Sequence, residues 1–277
     1  MAFLRVVEVF PPIVQSRQGR GRGLGAETRS FIERVGRIKD CADLVLVASL
    51  KDQRLTVSPT IAASILVARA GVDAAPVVVV RNSGRKEIAS AILGAHALGL
   101  KDLMLAWGDR QIGGPRRRFR DFAGLSDAIA YGRKISGKAR VRVRFFAPVD
   151  LARLSSGAGV DLAESRLNAG AALLLAQPPT TDSGEALDSH LAVLDSCGLR
   201  RKVLLCVFPF RDRSDVLWSE KHFGWKLPNS LKRNAARADY APIDEARSLV
   251  RRLRKEGLPG VYLSTRGSAE IALQVLG

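Results

Sequence analysis

The chain contains few of the residues that build disulfides and metal sites, with three cysteines and three histidines in 277 residues. Cys41, Cys197 and Cys206 stand far apart, and the sequence holds no C-x-x-C pair or Cys/His cluster. It therefore gives no support for a disulfide framework or a zinc site. Each cysteine lies in or beside an apolar run, as buried free thiols do. We expect a cytoplasmic protein without a bound metal, because thiols stay reduced in that compartment.

Long apolar runs and acidic residues are also scarce. No run approaches the roughly 20 apolar residues that span a bilayer. The first five residues lack the basic-then-apolar order of a signal peptide, so we expect neither a membrane protein nor an exported one. Lysine and arginine together number 44 against 27 acidic residues, a net charge of +17. This excess attracts anions, which include nucleic acid, an anionic lipid surface and a phosphorylated or polycarboxylate small molecule.

Short apolar runs alternate with longer amphipathic stretches along the whole chain, an order typical of strands and helices around a parallel sheet. The run Val77–Val80 is the clearest of several strands that should be buried on both faces. Strands are predicted at Leu4–Phe10, Leu44–Ser49, Pro76–Arg81, Leu103–Trp107, Val141–Phe146, Ala172–Gln177, Val203–Phe208 and Gly260–Ser264. Helices are predicted at Glu27–Ile38, Thr60–Ala70, Lys86–Leu98, Ser126–Ile135, Leu162–Ala169, Ala186–Cys197, Ile243–Glu256 and Ala269–Leu276.

Eight strands, each followed by a helix, indicate the fold class. Such a plan in a chain of this length is that of a (β/α)8 TIM barrel. No linker rich in proline or serine divides the chain, so a single barrel domain is predicted over residues 1–277. An open, doubly wound sheet is the alternative.

Barrel enzymes carry their chemistry at the carboxyl ends of the strands, so the polar residues at those ends are the candidate site. Glu8 stands in an otherwise apolar strand, and burial there would favour its neutral form and suit a general acid. Asp109 could accept hydrogen bonds from a heterocycle or oppose a cationic intermediate. Gln177 could bind a planar ring through both its donor and its acceptor. The alternatives are a Glu8–arginine ion pair, a turn aspartate at Asp109 and a loop-closing amide at Gln177.

Two basic loops follow predicted strands, at residues 19–25 and 115–120. Their arginines and free N–H groups suit phosphate or carboxylate, and solvated loops are the alternative. Aromatic residues, which single-stranded nucleic-acid segments interleave with basic ones, are absent from the first loop. A basic nucleic-acid-binding protein stays open as the competing class.

Four segments spaced along nearly the whole chain form a pattern of motifs. They are Val7–Pro12, Leu93–Gly99 with Gly108–Asp109, Asn168–Ala171 with Gln177–Pro178, and Val207–Pro209 with Lys226–Pro228. In this order they resemble the E-x-F-P-P, GAHALG…GD, DAGA…TQP and I-L-P…I-P motifs of the methylenetetrahydrofolate reductase family. The resemblance implies a (β/α)8 barrel that transfers hydride to the methylene carbon of a tetrahydrofolate, or of a related tetrahydropterin, and yields the methyl carrier.

The resemblance also implies a role for each matching residue. Glu8 falls on the proton donor of the family, which acts when the methylene bridge of the folate becomes an iminium. Asp109 falls on the acidic residue beside the flavin and the pterin ring, and Gln177 on the amide that contacts the bound ring. These roles agree with the chemistry expected of the same residues from their positions at strand ends.

FAD and NAD(P)H are the cofactors that the resemblance implies. Arg166 falls on a family lysine. Arg81 ends a predicted strand, and Trp107 stands where the family has an arginine or threonine before its Gly-Asp. The strands themselves differ from the family, because Val77–Val80 replaces His-Leu-Thr-Cys and Ala48 replaces a threonine. Three interpretations stay open: a flavin-dependent reductase, a reductase that takes hydride directly from NAD(P)H, and a barrel that needs a partner subunit or a second copy, or that is not itself catalytic.

Overall fold

The structure is a computed structural model that describes residues 2–14, 23–49, 55–81, 83–108 and 121–277. Its main strands are β1 (Leu4–Val9), β3 (Leu44–Val47), β5 (Ala74–Val79), β6 (Asp102–Ala106), β7 (Arg144–Asp150), β8 (Ala171–Gln177), β9 (Val203–Val207) and β10 (Gly260–Ser264). They are parallel and close into a barrel in the order β1-β10-β9-β8-β7-β6-β5-β3, with β3 pairing back to β1. The predicted (β/α)8 barrel is confirmed, and the open sheet is excluded.

The helices are α1 (Leu24–Gly36), α2 (Pro59–Ala70), α3 (Arg85–Ala97), α4 (Leu125–Ala139), α5 (Gly157–Ala169), α6 (Glu185–Ser196), α7 (Arg213–Phe223), α8 (Asn229–Asn234), α9 (Pro242–Lys255) and α10 (Ala269–Leu276). Eight of them correspond to the predicted helices. The pair α7 and α8 is an addition between β9 and α9. A two-stranded antiparallel sheet of β2 (Ile13–Val14) and β4 (Leu55–Thr56) was also not predicted. Within the described part of the chain, no helix has both the length and the apolar character needed to cross a bilayer.

The strands separate two apolar layers because successive side chains point to opposite faces of a strand. On β1, Val7 and Val9 pack outward against the helices, and Val6 packs inward. The interior is filled by Val6, Leu44, Leu46, Ala75, Met104, Phe146, Leu175, Leu204, Cys206 and Tyr262. The barrel is therefore a packed core, and its ends are where polar groups and ligands have room.

An ion pair occupies the amino end of the barrel. Arg144 donates two hydrogen bonds to the buried carboxylate of Asp102, at 2.6 and 3.0 Å. The guanidinium carbon of Arg144 also lies 5.1 Å from the centre of the Phe146 ring. These two polar groups thus satisfy one another.

Most of the predicted elements have bounds that are displaced by one to five residues in the structure, and β7, β5 and α5 are three examples. The strand predicted at Val141–Phe146 is β7, three residues further on. Proline donates no backbone hydrogen bond and argues against a central strand. Pro148 nevertheless lies in β7, because the recorded pairing of β7 with β6 ends at Phe146. Pro76, the first residue of the predicted strand, lies within β5, which begins two residues earlier at Ala74. Helix α5 begins five residues before the predicted helix. Its first turn contains Gly159, where a Cβ atom would lie 1.9 Å from the carbonyl oxygen of Arg153.

Candidate active site

Glu8 lies at the carboxyl end of the barrel, on the inward face of β1. It is two residues beyond Val6, and its register partners are Ser264 on β10 and Leu46 on β3. The side chain is half-buried, so it is withdrawn from bulk water and can still be reached from the carboxyl end. The structure therefore places Glu8 where the sequence predicted a general acid.

Two hydroxyl groups from β10 hold the carboxyl group of Glu8. Tyr262 donates to Oε2, and Ser264 donates to Oε1 at 3.1 Å. Burial raises the pKa of Glu8 above the usual range of a glutamate, while the two hydrogen bonds act in the opposite direction. The result is a carboxylic acid that keeps its proton more readily than a solvated glutamate and has two donors ready for the carboxylate. Among the described residues, no arginine is paired with Glu8, whose recorded partners are the two hydroxyls.

Gln177 reaches the same cluster from the end of β8. Burial, followed by the charge of Glu8, raises the pKa of Tyr262 well above its ordinary value, and the nearby Gln177 side chain acts in the opposite direction. Gln177 is itself exposed at the carboxyl end. The structure thus brings together Glu8 and Gln177, two of the predicted site residues, with Tyr262 between them.

A cavity of about 250 Å³ opens beside this cluster and shares Ser264 with it. It is lined by Phe208, Pro209, Arg211, Asp215, Ser264, Thr265, Arg266, Ser268 and Ile271. Arg266 is ion-paired with the buried Asp215, and its guanidinium carbon lies 4.9 Å from the ring centres of both Phe208 and Trp218. Burial, with the nearby charge of Arg211, lowers the pKa of Arg266 to about 10. Aromatic and cationic side chains therefore line the cavity that shares Ser264 with the Glu8 cluster.

The predicted cofactor residues Arg81 and Trp107 contact each other at the ends of β5 and β6. The guanidinium carbon of Arg81 lies 5.9 Å from the Trp107 ring centre. Trp107 packs against the outer apolar layer, on the face of β6 that carries Leu103 and Leu105. Its side chain is thus directed toward the helices and away from the barrel interior.

Arg166, the third predicted cofactor residue, lies between α5 and β7. It donates a 2.6 Å hydrogen bond to the backbone oxygen of Pro148, and burial lowers its pKa. Among the described residues, Arg166 makes no hydrogen bond to Glu8, Tyr262 or Ser264. Asp109 lies outside the described residues, as do the basic loop residues 115–120 and most of the loop at 19–25.

Three site residues that the sequence analysis missed occupy alternate positions on β10 and just beyond it. Tyr262, Ser264 and Arg266 follow one another at every second residue. Tyr262 and Ser264 lie on one face of β10 because successive side chains of a strand alternate between its two faces. Arg266 follows in the loop beyond the strand, with a backbone φ of 53°. The polar side chains of Tyr262 and Ser264 within an otherwise apolar run were therefore the sequence signal for this part of the site. Asp215 was missed because α7 was not predicted, although Asp212 caps that helix by accepting a hydrogen bond from the Asp215 backbone.

Comparisons with known proteins agree with the fold. One solved structure that matches is an uncharacterized protein from Clostridium thermocellum that binds two copies of 5-methyl-5,6,7,8-tetrahydrofolic acid; it aligns with a TM-score of 0.67 and 13% identity over 99% of this chain and 94% of that one. Another is 2,3-dimethylmalate lyase, a member of the PEP mutase/isocitrate lyase superfamily, with a TM-score of 0.51 and 10% identity over 97% and 77%. No protein-family model and no curated protein matches the chain. At these identities the likeness shows the barrel fold alone.

Proposed function

We propose that the carboxyl end of the barrel binds a tetrahydrofolate, or a related tetrahydropterin, and that the protein reduces its methylene group to a methyl group. The observation that carries the proposal is Glu8, a half-buried carboxylic acid held by Tyr262 and Ser264, with the exposed side chain of Gln177 near Tyr262. The motif resemblance supports it, as does the methyltetrahydrofolate bound by the Clostridium thermocellum barrel.

The proposed reaction needs one proton and one hydride. Glu8 gives its proton to the bridging amine nitrogen, so that the carbon–nitrogen bond breaks and the methylene carbon becomes part of a cationic iminium. Hydride from NAD(P)H then reduces this carbon to the methyl group. The carboxylate left on Glu8 accepts hydrogen bonds from Tyr262 and Ser264, which offsets the cost of a buried charge.

Gln177 is the residue that we assign to ring binding, since a side-chain amide can pair with both a donor and an acceptor of a pterin. Replacing it with alanine should weaken binding of 5-methyltetrahydrofolate about tenfold, which corresponds to the loss of one or two hydrogen bonds. Isothermal titration calorimetry measures this change. Gln274→Ala, on the exposed surface of α10, is the matched control and should bind as the wild type does. Equal affinity of the Gln177→Ala and wild-type proteins would remove the assignment, and no binding to the wild type would contradict the proposed substrate.

Several positions that the resemblance assigns to the flavin site carry no polar group directed at a ligand. Ala48 and Val77 offer no hydrogen-bonding side chain, Trp107 faces the outer layer, and Arg166 is bonded to the Pro148 carbonyl. We therefore propose that NAD(P)H donates hydride directly to the bound carrier, and we derive no step through a flavin.

This proposal predicts a colourless protein. The purified protein should show no flavin absorbance in the visible range, and added FAD or FMN should remain in the filtrate after ultrafiltration. The physical reason is that Ala48 and Val77–Val80, at and near the ends of β3 and β5, offer the isoalloxazine ring no hydrogen-bonding side chain. A flavin spectrum at near-stoichiometric occupancy would contradict the direct transfer and leave the assignment of Glu8 unaffected.

A further inference from the structure

The cavity beside the Glu8 cluster lies between the loops that follow β9 and β10, the last two strands of the barrel. Arg211 comes from the first loop, and Thr265 and Arg266 come from the second. Ser264 lines the cavity and also donates to Glu8, so a group bound in the cavity is a neighbour of the acid. The volume of about 250 Å³ is below the roughly 300–1,000 Å³ of sites that enclose a drug-sized ligand. The cavity therefore suits one group of a larger ligand.

Two buried donors in the wall of this cavity have no hydrogen-bond partner within the part of the chain that the structure describes. They are the hydroxyl of Thr265, a residue that is 4% exposed, and the Nε–H of Arg266. Buried donors in native proteins are nearly always paired, and a donor without a partner costs free energy. A ligand that brought acceptor oxygens into the cavity would satisfy both donors.

The charges that line the cavity favour an anion. Two arginines, Arg211 and Arg266, accompany one buried carboxylate, that of Asp215. Asp215 is ion-paired with Arg266, and its Oδ2 accepts a 3.0 Å hydrogen bond from the backbone N–H of Arg211 and lies 3.5 Å from Nε of the same residue. The carboxylate is thus already satisfied, and one positive charge remains for a ligand.

Arg266 is held in place by its protein neighbours. Its guanidinium carbon lies 4.9 Å from the ring centres of Phe208 and Trp218, and its Nη2 lies 3.4 Å from the hydroxyl of Ser219. A planar fork that is already oriented loses little freedom when it binds phosphate or carboxylate. Ser268, which also lines the cavity, is the N-cap of α10, and the start of a helix favours negative charge as well.

We propose that this cavity binds the diphosphate of the hydride donor NAD(P)H. The inference rests on the proposed function and adds to it a subsite for the second substrate. A diphosphate offers several acceptor oxygens and more negative charge than a single carboxylate, and barrels frequently bind phosphate between the loops after their last two strands. Gln177, which we assign to the ring of the carrier, stands at the end of β8, so different strands would hold the two substrates.

Thr265→Val is the sharpest test, because valine keeps the shape of threonine and removes only the hydroxyl. The variant should bind NADH and NADPH about tenfold more weakly than the wild type, which corresponds to one hydrogen bond to a charged acceptor. Its affinity for 5-methyltetrahydrofolate should not change. Calorimetric titration with each ligand measures these values. In urea, the variant without ligand should be at least as stable as the wild type, since the missing hydroxyl has no partner among the described residues.

Arg211→Gln tests the charge of the cavity independently of the hydroxyl. It should also weaken binding of NADH and NADPH about tenfold, and the remaining affinity should depend less on salt because one cation has been removed. Arg251→Gln, on the exposed surface of α9, makes the same change in net charge outside the cavity and should bind as the wild type does.

Unchanged affinity for NADH and NADPH in both Thr265→Val and Arg211→Gln would overturn the inference. A loss of affinity for 5-methyltetrahydrofolate alone would also overturn it, because the cavity would then hold the carboxylates of the carrier. A Thr265→Val protein less stable than the wild type would count against it, since the hydroxyl would have a partner within the protein. Wild-type protein that bound neither NADH nor NADPH would contradict direct hydride transfer together with this inference, whereas full activity of Glu8→Gln would remove only the proton donor.

Discussion

Glu8→Gln is expected to lower the formation of the methyl carrier about a thousandfold, within the range typical for loss of a general acid. Glutamine keeps the size of the side chain; its amide oxygen can accept a hydrogen bond from one of the two hydroxyls and its NH2 group can donate to the other. It has no acidic proton to give to the leaving nitrogen. Binding of 5-methyltetrahydrofolate should stay within a few-fold of the wild type, because the ring is held elsewhere. Steady-state turnover and calorimetric binding on the same preparation measure both quantities.

Glu164→Gln is the matched control, since Glu164 is exposed on α5 and outside the candidate site. It should have wild-type turnover. If Glu8→Gln kept more than a tenth of the wild-type rate, Glu8 would not be the proton donor.

Glu8→Gln should also change how the unfolding free energy depends on pH. The pKa of Glu8 is raised in the folded protein, chiefly by burial, so the native state binds this proton more tightly than the unfolded chain does. The stability that this proton contributes is fully present below the ordinary pKa of a glutamate and is lost as the pH rises through the raised value. Glu8→Gln has no proton to lose there, so its unfolding free energy should decline less across that window. Urea denaturation at several pH values checks this sign and also shows that the variant is folded.

The second large effect is expected at the junction where β1 meets β10. Gly260 is buried and pairs in register with Leu4, and a Cβ atom on it would lie 2.0 Å from the Leu4 carbonyl oxygen. Backbone cannot move aside as a flexible side chain can. Gly260→Ala should therefore cost about 3 kcal/mol or more of unfolding free energy, the upper part of the range for overpacking.

Gly137→Ala gives the contrasting result from the same chemical change. Gly137 lies on the exposed side of α4, and nothing stands within 4 Å of where its Cβ atom would be. Alanine there should stabilise the protein by about 0.5–1 kcal/mol, because glycine loses more backbone freedom in a helix. Urea midpoints of the two variants give the comparison. A Gly260→Ala protein as stable as the wild type would show that β1 and β10 are not in such close contact.

The barrel and Glu8 could be predicted from the sequence because both depend on local patterns. Alternating apolar runs specify a parallel barrel, and one carboxylate in an apolar strand stands out against its neighbours. The rule that barrel sites lie at the carboxyl ends then placed Glu8 and Gln177 in one region without knowledge of any contact between them.

What the sequence could not predict is geometry that local patterns do not contain. Trp107 follows β6, and one residue more or less in a strand exchanges the two faces, so its outward direction depended on a register that the sequence leaves undefined. Arg166 was selected through a resemblance, whereas its position is decided by the tertiary packing of α5 on β7. The two hydroxyls that hold Glu8 come from β10, at the other end of the sequence.

That separation has a consequence for how the protein is made. Glu8 leaves the ribosome well before its partners Tyr262 and Ser264, which follow 254 and 256 residues later. A nascent chain can pair β1 with β3 early, but it cannot seat β1 against β10 until β10 has been synthesised. Contacts of such long range form late and slowly. The proton donor and the last seam of the barrel are therefore completed in the same event, and recovery of catalysis during refolding would time the closure of the barrel.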